Sequence, residues 1–308
     1  MPLLTIAIVT FNTRDLLQDC LHHLLTLPET ATLVDQLIVV DNASGDGSAQ
    51  MVQAQFPQVH LIALPENRGL TVASNLALRA TQSEFLLYLG ADAFPEPGAL
   101  AGLVAYMIAH PAVGIATAQL RLRDGTLDMD AHRGFPTPWA SLTHFTGLNK
   151  LFPHSPTFNQ YFLGGERLDQ PHAIDLCISH FMLTRRQLFA QIGEWDEDFF
   201  LYGEDVDLCY RAKAAGYQIM YLPQFTVLHY KGASVGVRKQ TSDLANASAE
   251  TKLRVTKLST EAMARFYRKH LFARYPRPLS WAILGAIQLL GQLRVWRLRR
   301  KLRAAAAG

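Results

Sequence analysis

The sequence predicts an α/β fold: a mostly parallel sheet flanked by helices, with a helical extension at the C-terminus. Three observations predict it. Short, nearly continuous apolar runs rich in β-branched residues alternate with amphipathic stretches over the first third of the chain, as expected for parallel strands covered on both faces. At 308 residues, 49% of them hydrophobic, the chain is long enough for one large domain with an appendage. Basic residues collect toward the C-terminus, where "TKLRVTKLSTEAMARFYRKHL" reads as a basic helix.

The elements follow in order. "LTIAIVTF", "QLIVV", "VHLIAL" and "FLLYL" read as buried strands, and "VGIATAQL" as a fifth. Amphipathic stretches near Asp15–Thr26, Ala49–Phe56 and Thr71–Ala80 separate the early strands, and Leu100–His110 precedes the fifth. From Arg121 to Pro171 periodicity is lost and Pro, Gly, His and aromatics accumulate, the mark of a long excursion over a binding face. Regular structure returns with "AIDLCISHFML", a helix over Glu204–Ala215 closed by Gly216, and then "YQIMYLP" and "TVLHY". Residues 232–250, rich in Gly, Ser and Ala, are expected to form a flexible lid. The apolar run Leu279–Leu293 falls short of the roughly 20 residues that span a bilayer.

Bulk properties exclude several classes. A formal net charge of +3 argues against a dedicated nucleic-acid binder. Cys20, Cys177 and Cys209 are odd in number and widely spaced, which fits reduced thiols in a cytoplasmic protein better than disulfides or a metal knuckle. The apolar N-terminus lacks a basic n-region and a small-residue cleavage site, so it reads as a first strand. "TFNTRD" stands where a dinucleotide-binding glycine fingerprint would have to be, and there is no Walker lysine.

Ligands of open parallel sheets bind beyond the carboxyl ends of the strands. Thr10 and Asn12, Asp41 and Asn42, and Asp92 all fall at such ends. "DNASGDGS" suits a turn and equally offers backbone N–H groups to a phosphate. "FFLYGEDVDLCYR" crowds Glu204, Asp205 and Asp207 into the first turn of a helix. Two readings stand for these carboxylates: complements to the helix dipole, or a reactive general base with acidic neighbours.

The ordered set "IAIVTFN", "VVDNASGDGS", "ENRGLTVASNLAL", "LGADAFPEPGAL", "GEWDEDFFLYGEDVDLCYRAKAAGY" and "VLHYKGAS" resembles the family-2 glycosyltransferases, in particular a bacterial rhamnosyltransferase-like branch. The resemblance runs from Leu3 to His270 and implies a GT-A fold. The implied activity is inverting, metal-dependent transfer of a sugar from a nucleotide-diphosphate donor to a glycan or lipid-linked acceptor in cell-surface polysaccharide synthesis. A hexosyl- or deoxyhexosyltransferase, rhamnosyl included, is the implied enzyme. By the same resemblance Thr10, Asn12, Asp41 and Asn42 hold the donor, with Asn67, Gly69 and Asn75 as the next wall. Asp92 joins the donor's diphosphate and ligates a metal, Mn2+ or Mg2+, together with His229. Asp205 is the general base, Glu204 and Trp195 support the acceptor side, and Glu204 and Asp207 shape the field around the base. Gly90 and Ala91 stand where the family often has Asn-Pro, and His180 where it commonly has a small residue.

The implied organisation is a catalytic domain over residues 1–270, comprising a nucleotide-sugar half (1–120), an acceptor and catalytic half (121–231) and the lid, followed by a basic amphipathic tail (271–308). In that tail Trp281, Ile283, Leu284, Ile287, Leu290, Leu293 and Trp296 offer more apolar surface than one packing stripe needs, beside clustered Arg and Lys. Such a helix suits the membrane interface, so peripheral attachment to the inner face of the cytoplasmic membrane is expected. Two rivals remain. A sugar-nucleotide pyrophosphorylase would carry a Gly-rich basic loop after the first strand, which "TFNTRDLL" lacks. A catalytically inactive nucleotide-sugar-binding module has no need of Asp92, Asp205 and His229 together.

Overall fold

The computed structural model describes residues 3–233 and 248–307. The expected lid falls largely on 234–247, outside the described residues. Among the described residues nine strands form one sheet in the order β3-β2-β1-β4-β8-β6-β9-β5, with β7 paired to β9. The first four, β1 (Leu4–Thr10), β2 (Val34–Asp41), β3 (His60–Ala63) and β4 (Phe85–Leu89), run parallel. Beyond β4 the sheet becomes mixed: β8 (Phe181–Arg185) is antiparallel to both β4 and β6 (Val113–Arg121). β9 (Gln218–His229) then runs parallel to β6 and antiparallel to β5 (Ala93–Pro95) and β7 (His172–Ile174).

Side chains alternate across the sheet, and both faces are covered. Leu4, Ile6 and Ile8 of β1, with Leu37 and Val39 of β2, pack under α1 (Arg14–Thr26), α3 (Ser48–Gln55) and α5 (Ala99–Ala109). Ala7, Ile38 and Val40 face the other way, against α4 (Leu70–Ala80), α8 (Arg186–Ile192) and α9 (Glu204–Ala214). The short α2 (Pro28–Leu33) returns the chain to β2. The irregular middle holds two short helices, α6 (Pro138–Thr146) and α7 (Leu148–Leu151). Pro138 and the Thr137 hydroxyl, which accepts from Ala140 N at 3.2 Å, start α6 where its first N–H groups lack partners.

Two expected strands differ. "AIDLCISHFML" is not continuous: the chain leaves the sheet between β7 and β8, and Leu176 exchanges backbone hydrogen bonds with Arg133 instead. "YQIMYLP" and "TVLHY" form a single strand. Its register against β6 jumps from Ala118↔Leu222 to Gln119↔Thr226, so the extra residues at Pro223, which has no N–H to donate, bulge out of the ladder.

The C-terminal segment packs as α10 (Ala249–Phe266), a π-helical turn (Tyr267–Leu271), a short 3-10 turn (Phe272–Arg274) and α11 (Arg277–Ala307). Phe199, Ala262, Phe266, Tyr267, Leu271 and Leu284 form a separate apolar cluster joining these helices to the loop before α9. Among the described residues no helix is long and apolar enough to cross a membrane.

Candidate active site

β1, β2 and β4 are parallel neighbours, so Thr10, Asp41 and the segment after Leu89 emerge at one edge. Thr10 is buried and its hydroxyl meets that of Thr13 at 2.7 Å. Asn12 adopts a left-handed backbone (φ 54°), and its side-chain oxygen accepts from Gly45 N at 2.8 Å, pinning the loop after β2. Asn42 donates to Gly69 O (3.1 Å) and accepts from Arg68 N (2.9 Å), and Asn67 accepts from Gly69 N (3.0 Å). Gly69 sits at φ 87°, where a Cβ would meet Phe200 O at 2.7 Å, so only glycine lets α4 dock on the loop before α9. Asn75 is buried, with its amide taken up by Trp195 and Glu197. Asp41 differs from these: Oδ2 accepts from Ser44 N at 3.1 Å, whereas Oδ1 is buried and makes no hydrogen bond.

Next along the edge, Asp92, His180 and His229 converge, each offering one donor atom within 4.8 Å of the others. Asp92 Oδ1 and His229 Nε2 are 3.8 Å apart, and both residues are buried. His229 Nδ1 lies 2.8 Å from Asp128 Oδ2. Burial acts to raise the Asp128 carboxyl, but the hydrogen bond from His229 and the Lys231 ammonium outweigh it and hold the acid below its ordinary range. An ionised Asp128 can only accept, so Nδ1 donates and Nε2 is the ring nitrogen turned toward Asp92. That Nε2 is buried without a hydrogen bond. A carboxylate behind a ligating imidazole is the usual outer partner of a protein–metal site. Two ligands about 2.1 Å from one ion lie no more than about 4.2 Å apart, so sub-ångström rotations would close this set on a divalent cation. The residues present therefore fit such an ion.

Burial is also the first reason His180 is held below the usual histidine range; Asp92, His229, Asp205 and Asp128 all act on it. The same imidazole is thus in the field of both Asp92 and Asp205. Asp205 accepts from Val206 N at 2.8 Å, and Arg133 Nη2 lies 3.6 Å from its Oδ2. Burial pushes the Asp205 carboxyl up, against the opposing pull of Arg133. Glu204 accepts from the Ser179 hydroxyl at 3.1 Å, and burial followed by the charge of Asp205 pushes it up to about 8. These carboxylates follow Tyr202 and Gly203, both left-handed (φ 68° and 79°); at Tyr202 that conformation is strained.

Asp207 does not join them. It is fully buried and accepts from Arg211 Nε, Lys269 Nζ and His270 Nε2, each at 2.7 Å. Residues two apart on a helix point about 200° apart, so Asp207 faces the C-terminal helices while Asp205 faces the edge. Trp195 is buried edge-on to Tyr88, with ring centroids 4.9 Å apart, in the core cluster beside Leu208 of α9, so its ring packs inward and is not presented to an acceptor. The sequence alone assigns no role to Asp128, Arg133, Ser179 or Lys231; the one legible trace of the first two is the cluster of charged residues inside the aperiodic stretch. A groove of about 500 Å³ lined by Arg79, Glu84, Arg185 and Glu194 opens at the opposite edge of the sheet, where these charges already pair with one another.

Comparisons with known proteins agree with this layout. Residues 5–193 match the family described as Glycosyl transferase family 2. The N-acetylglucosaminyl-diphospho-decaprenol L-rhamnosyltransferase of Mycobacterium tuberculosis is 27% identical over 271 residues, covering 84% of this chain and 83% of that protein. Among solved structures, mannosyltransferase PcManGT from Pyrobaculum calidifontis, in complex with GDP-Man and Mn2+, superposes with a TM-score of 0.57 at 19% identity, over 100% of this chain and 76% of that one. GalNAc-T7 with UDP, GalNAc and Mn2+ gives 0.55 at 14% identity, over 90% and 58% of the two chains. The family match ends at Gly193, before α9 and His229, so those residues are argued from geometry. On a curled α/β sheet of GT-A type, with the family's description spanning more than half its length, this chain belongs to glycosyl transferase family 2 and is a glycosyltransferase.

Proposed function

We propose that the chain transfers a sugar, with inversion, from a nucleotide-diphosphate donor to a glycan or lipid-linked acceptor of cell-surface polysaccharide. One observation carries the reading: Asp92, His229 and the raised carboxyl of Asp205 meet around His180 at the carboxyl edge of the sheet. In this reading the unpartnered Asp41 Oδ1 accepts from the donor's nucleoside, beside Thr10, Asn12 and Asn42. Asn67, Gly69 and Asn75 hold the adjoining wall against the loop before α9. Asp92 and His229 would hold Mn2+ or Mg2+, whose chemistry is to neutralise the departing diphosphate. Asp205 takes the proton of the acceptor hydroxyl, and its raised pKa strengthens it as a base where it is ionised. Arg133 fixes the carboxylate without a close bidentate pair that would quench it. The mycobacterial relative supports a deoxyhexosyl donor and a lipid-linked acceptor.

The division into a catalytic domain over 1–270 and a tail over 271–308 is part of the same proposal, as is attachment of the tail to the cytoplasmic face of a membrane. On α11, Leu284 is buried, whereas Trp281 (64%) and Trp296 (53%) are exposed together with Leu279, Leu289, Leu290 and Leu293. Arg294 stacks over Phe145 of α6 at 5.1 Å, joining this face to the exposed Trp139 and Leu142. Aromatic, aliphatic and basic groups on one side suit an anionic bilayer surface.

The test is release of nucleoside diphosphate from a panel of nucleotide sugars, with and without Mn2+ or Mg2+, and NMR assignment of the product's anomeric configuration. Donor- and metal-dependent release with an inverted product is expected. Release that persists in excess chelator would remove the metal from the reading. Pyrophosphate chemistry in place of sugar transfer would favour a pyrophosphorylase, and donor binding without turnover an inactive module. For the membrane, Trp281→Ser with Trp296→Ser should lower co-sedimentation with anionic vesicles; equal binding by both chains would leave α11 as packing alone.

A further inference from the structure

His180 has a position in the site but, in the reading above, no task. It ends the stretch that leaves the sheet after β7, and its carbonyl accepts from Gly90 N at 2.8 Å, one step beyond the Leu89↔Phe181 pair of β4 and β8. Two of the three residues that depart from the family pattern, Gly90 and His180, therefore face each other. A Cβ built on Gly90 would lie 2.7 Å from Asp92 Oδ1 and 2.8 Å from His180 Cδ2. Both distances are too short for a real side chain. The bare backbone at 90 and the imidazole at 180 are two halves of one arrangement: the first makes room in which the second approaches Asp92.

The imidazole that fills that room offers a ring nitrogen within 4.8 Å of one ligand atom of Asp92 and one of His229. His229 Nε2 is buried and makes no hydrogen bond, as expected of a donor atom reserved for an ion. The 5.3 Å between the ring centroids of His180 and His229, with planes tilted by 48°, leaves the two rings side by side without stacking.

We propose that His180 is a third protein ligand, so that the chain presents an Asp–His–His set to one divalent cation and thereby prefers Mn2+ to Mg2+. This rests on the metal-assisted reading of the site. Mg2+ favours oxygen ligands and keeps its waters, whereas affinity of nitrogen-bearing sites for first-row ions begins at Mn2+ and rises along the series; each imidazole weighs against Mg2+, so a second one tilts the balance between these two ions toward Mn2+. Three protein ligands also leave open positions for diphosphate oxygens. An ordinary alternative is that His180 only packs beside Asp92.

The experiment is Mn2+ titration of the full chain, with Mn2+ alone as the probe, followed by EPR of the free ion and by pulsed EPR of the bound ion. Mg2+ competition gives the selectivity. Wild type should show coupling to two imidazole nitrogens. His180→Ala should show one, bind Mn2+ at least about tenfold more weakly, and lose part of its Mn2+/Mg2+ preference. His180→Gln, which keeps most of the bulk, should behave like His180→Ala; it keeps the test alive if the smaller variant does not fold. Two nitrogens and affinity within about twofold of wild type in either folded variant would overturn the proposal. Asp92→Ala and His229→Ala separate the two levels. If they abolish Mn2+ binding while the His180 variants do not, only the third ligand falls; if none of the four changes binding, the metal reading falls with it.

Discussion

The two ends of the binding edge are built on opposite terms. At the β1–β2 end the polar side chains are mostly taken up by the protein itself: Asn12 with Gly45, Asn42 with Arg68 and Gly69, Asn75 with Trp195 and Glu197. At the β4–β9–α9 end, groups are held against their preference: a bare His229 Nε2, a raised Asp205 and a Glu204 near 8. Internal hydrogen bonds make the first end a preformed mould. Unrelieved charge at the second end is what bound substrate and ion would relieve, which is where perturbed titrating groups of functional sites are found.

The sharpest way to break this contrast is Asp205→Asn. It should leave donor affinity unchanged and lower the transfer rate by about two to four orders of magnitude. Because burial disfavours the ionised acid, the same variant should melt no lower than wild type at neutral pH. Near-normal turnover would remove Asp205 as the base. Two residues on, Asp207→Asn should do the reverse. Replacing a buried acid that accepts from Arg211, Lys269 and His270 is expected to cost about 3–5 kcal/mol in denaturant unfolding, with turnover per folded molecule largely kept.

On the preformed end, Asn42→Ala strands Arg68 N and Gly69 O and should cost about 1–3 kcal/mol of stability together with weaker donor binding by calorimetry. Stability without any loss of donor affinity would mean that this end is scaffold alone. A slope against pH, and not a single loss, belongs to Glu204. The unfolded chain ionises it near 4.5 and the folded chain near 8, so the folded state holds a proton the unfolded state has released between these values. Stability then falls as pH rises through that window and levels off above it. Glu204→Gln keeps the acceptor for Ser179 and should flatten the melting temperature between pH 5 and 8.5 in metal-free buffer. Parallel pH profiles for the two chains would assign the slope to other groups.

Much of the parallel half was legible because strands buried on both faces leave continuous apolar runs, and Thr10, Asp41 and Asp92 follow from where those runs stop. The other corner is less legible because its contacts span long separations. Asp128 meets His229 across 101 residues, and Arg133 reaches Asp205 from a stretch without periodicity. Asp207 was expected to shape the field at the base; the helical turn carries it to the far side instead, where Lys269 and His270 await it. The break before β8 escaped for a related reason: Leu176, Cys177 and Ile178 are as buried as strand residues would be, so apolar content alone does not reveal that the backbone has left the ladder.

The Asp207 cluster also bears on how this protein can be recombined. Two of its three basic partners, Lys269 and His270, lie on the π-helical turn, whose Tyr267 hydroxyl donates to Ser280 Oγ of α11 at 3.2 Å. Farther along, Gly291 lies so close to α10 that a Cβ there would come within 2.3 Å of Thr260. The acidic helix α9, the turn and the final helix thus form one interlocked part. A chimera that grafts a foreign tail after Tyr275 would strip the cover from the turn that neutralises Asp207. The C-terminal helix is therefore inherited with the acidic helix or not at all.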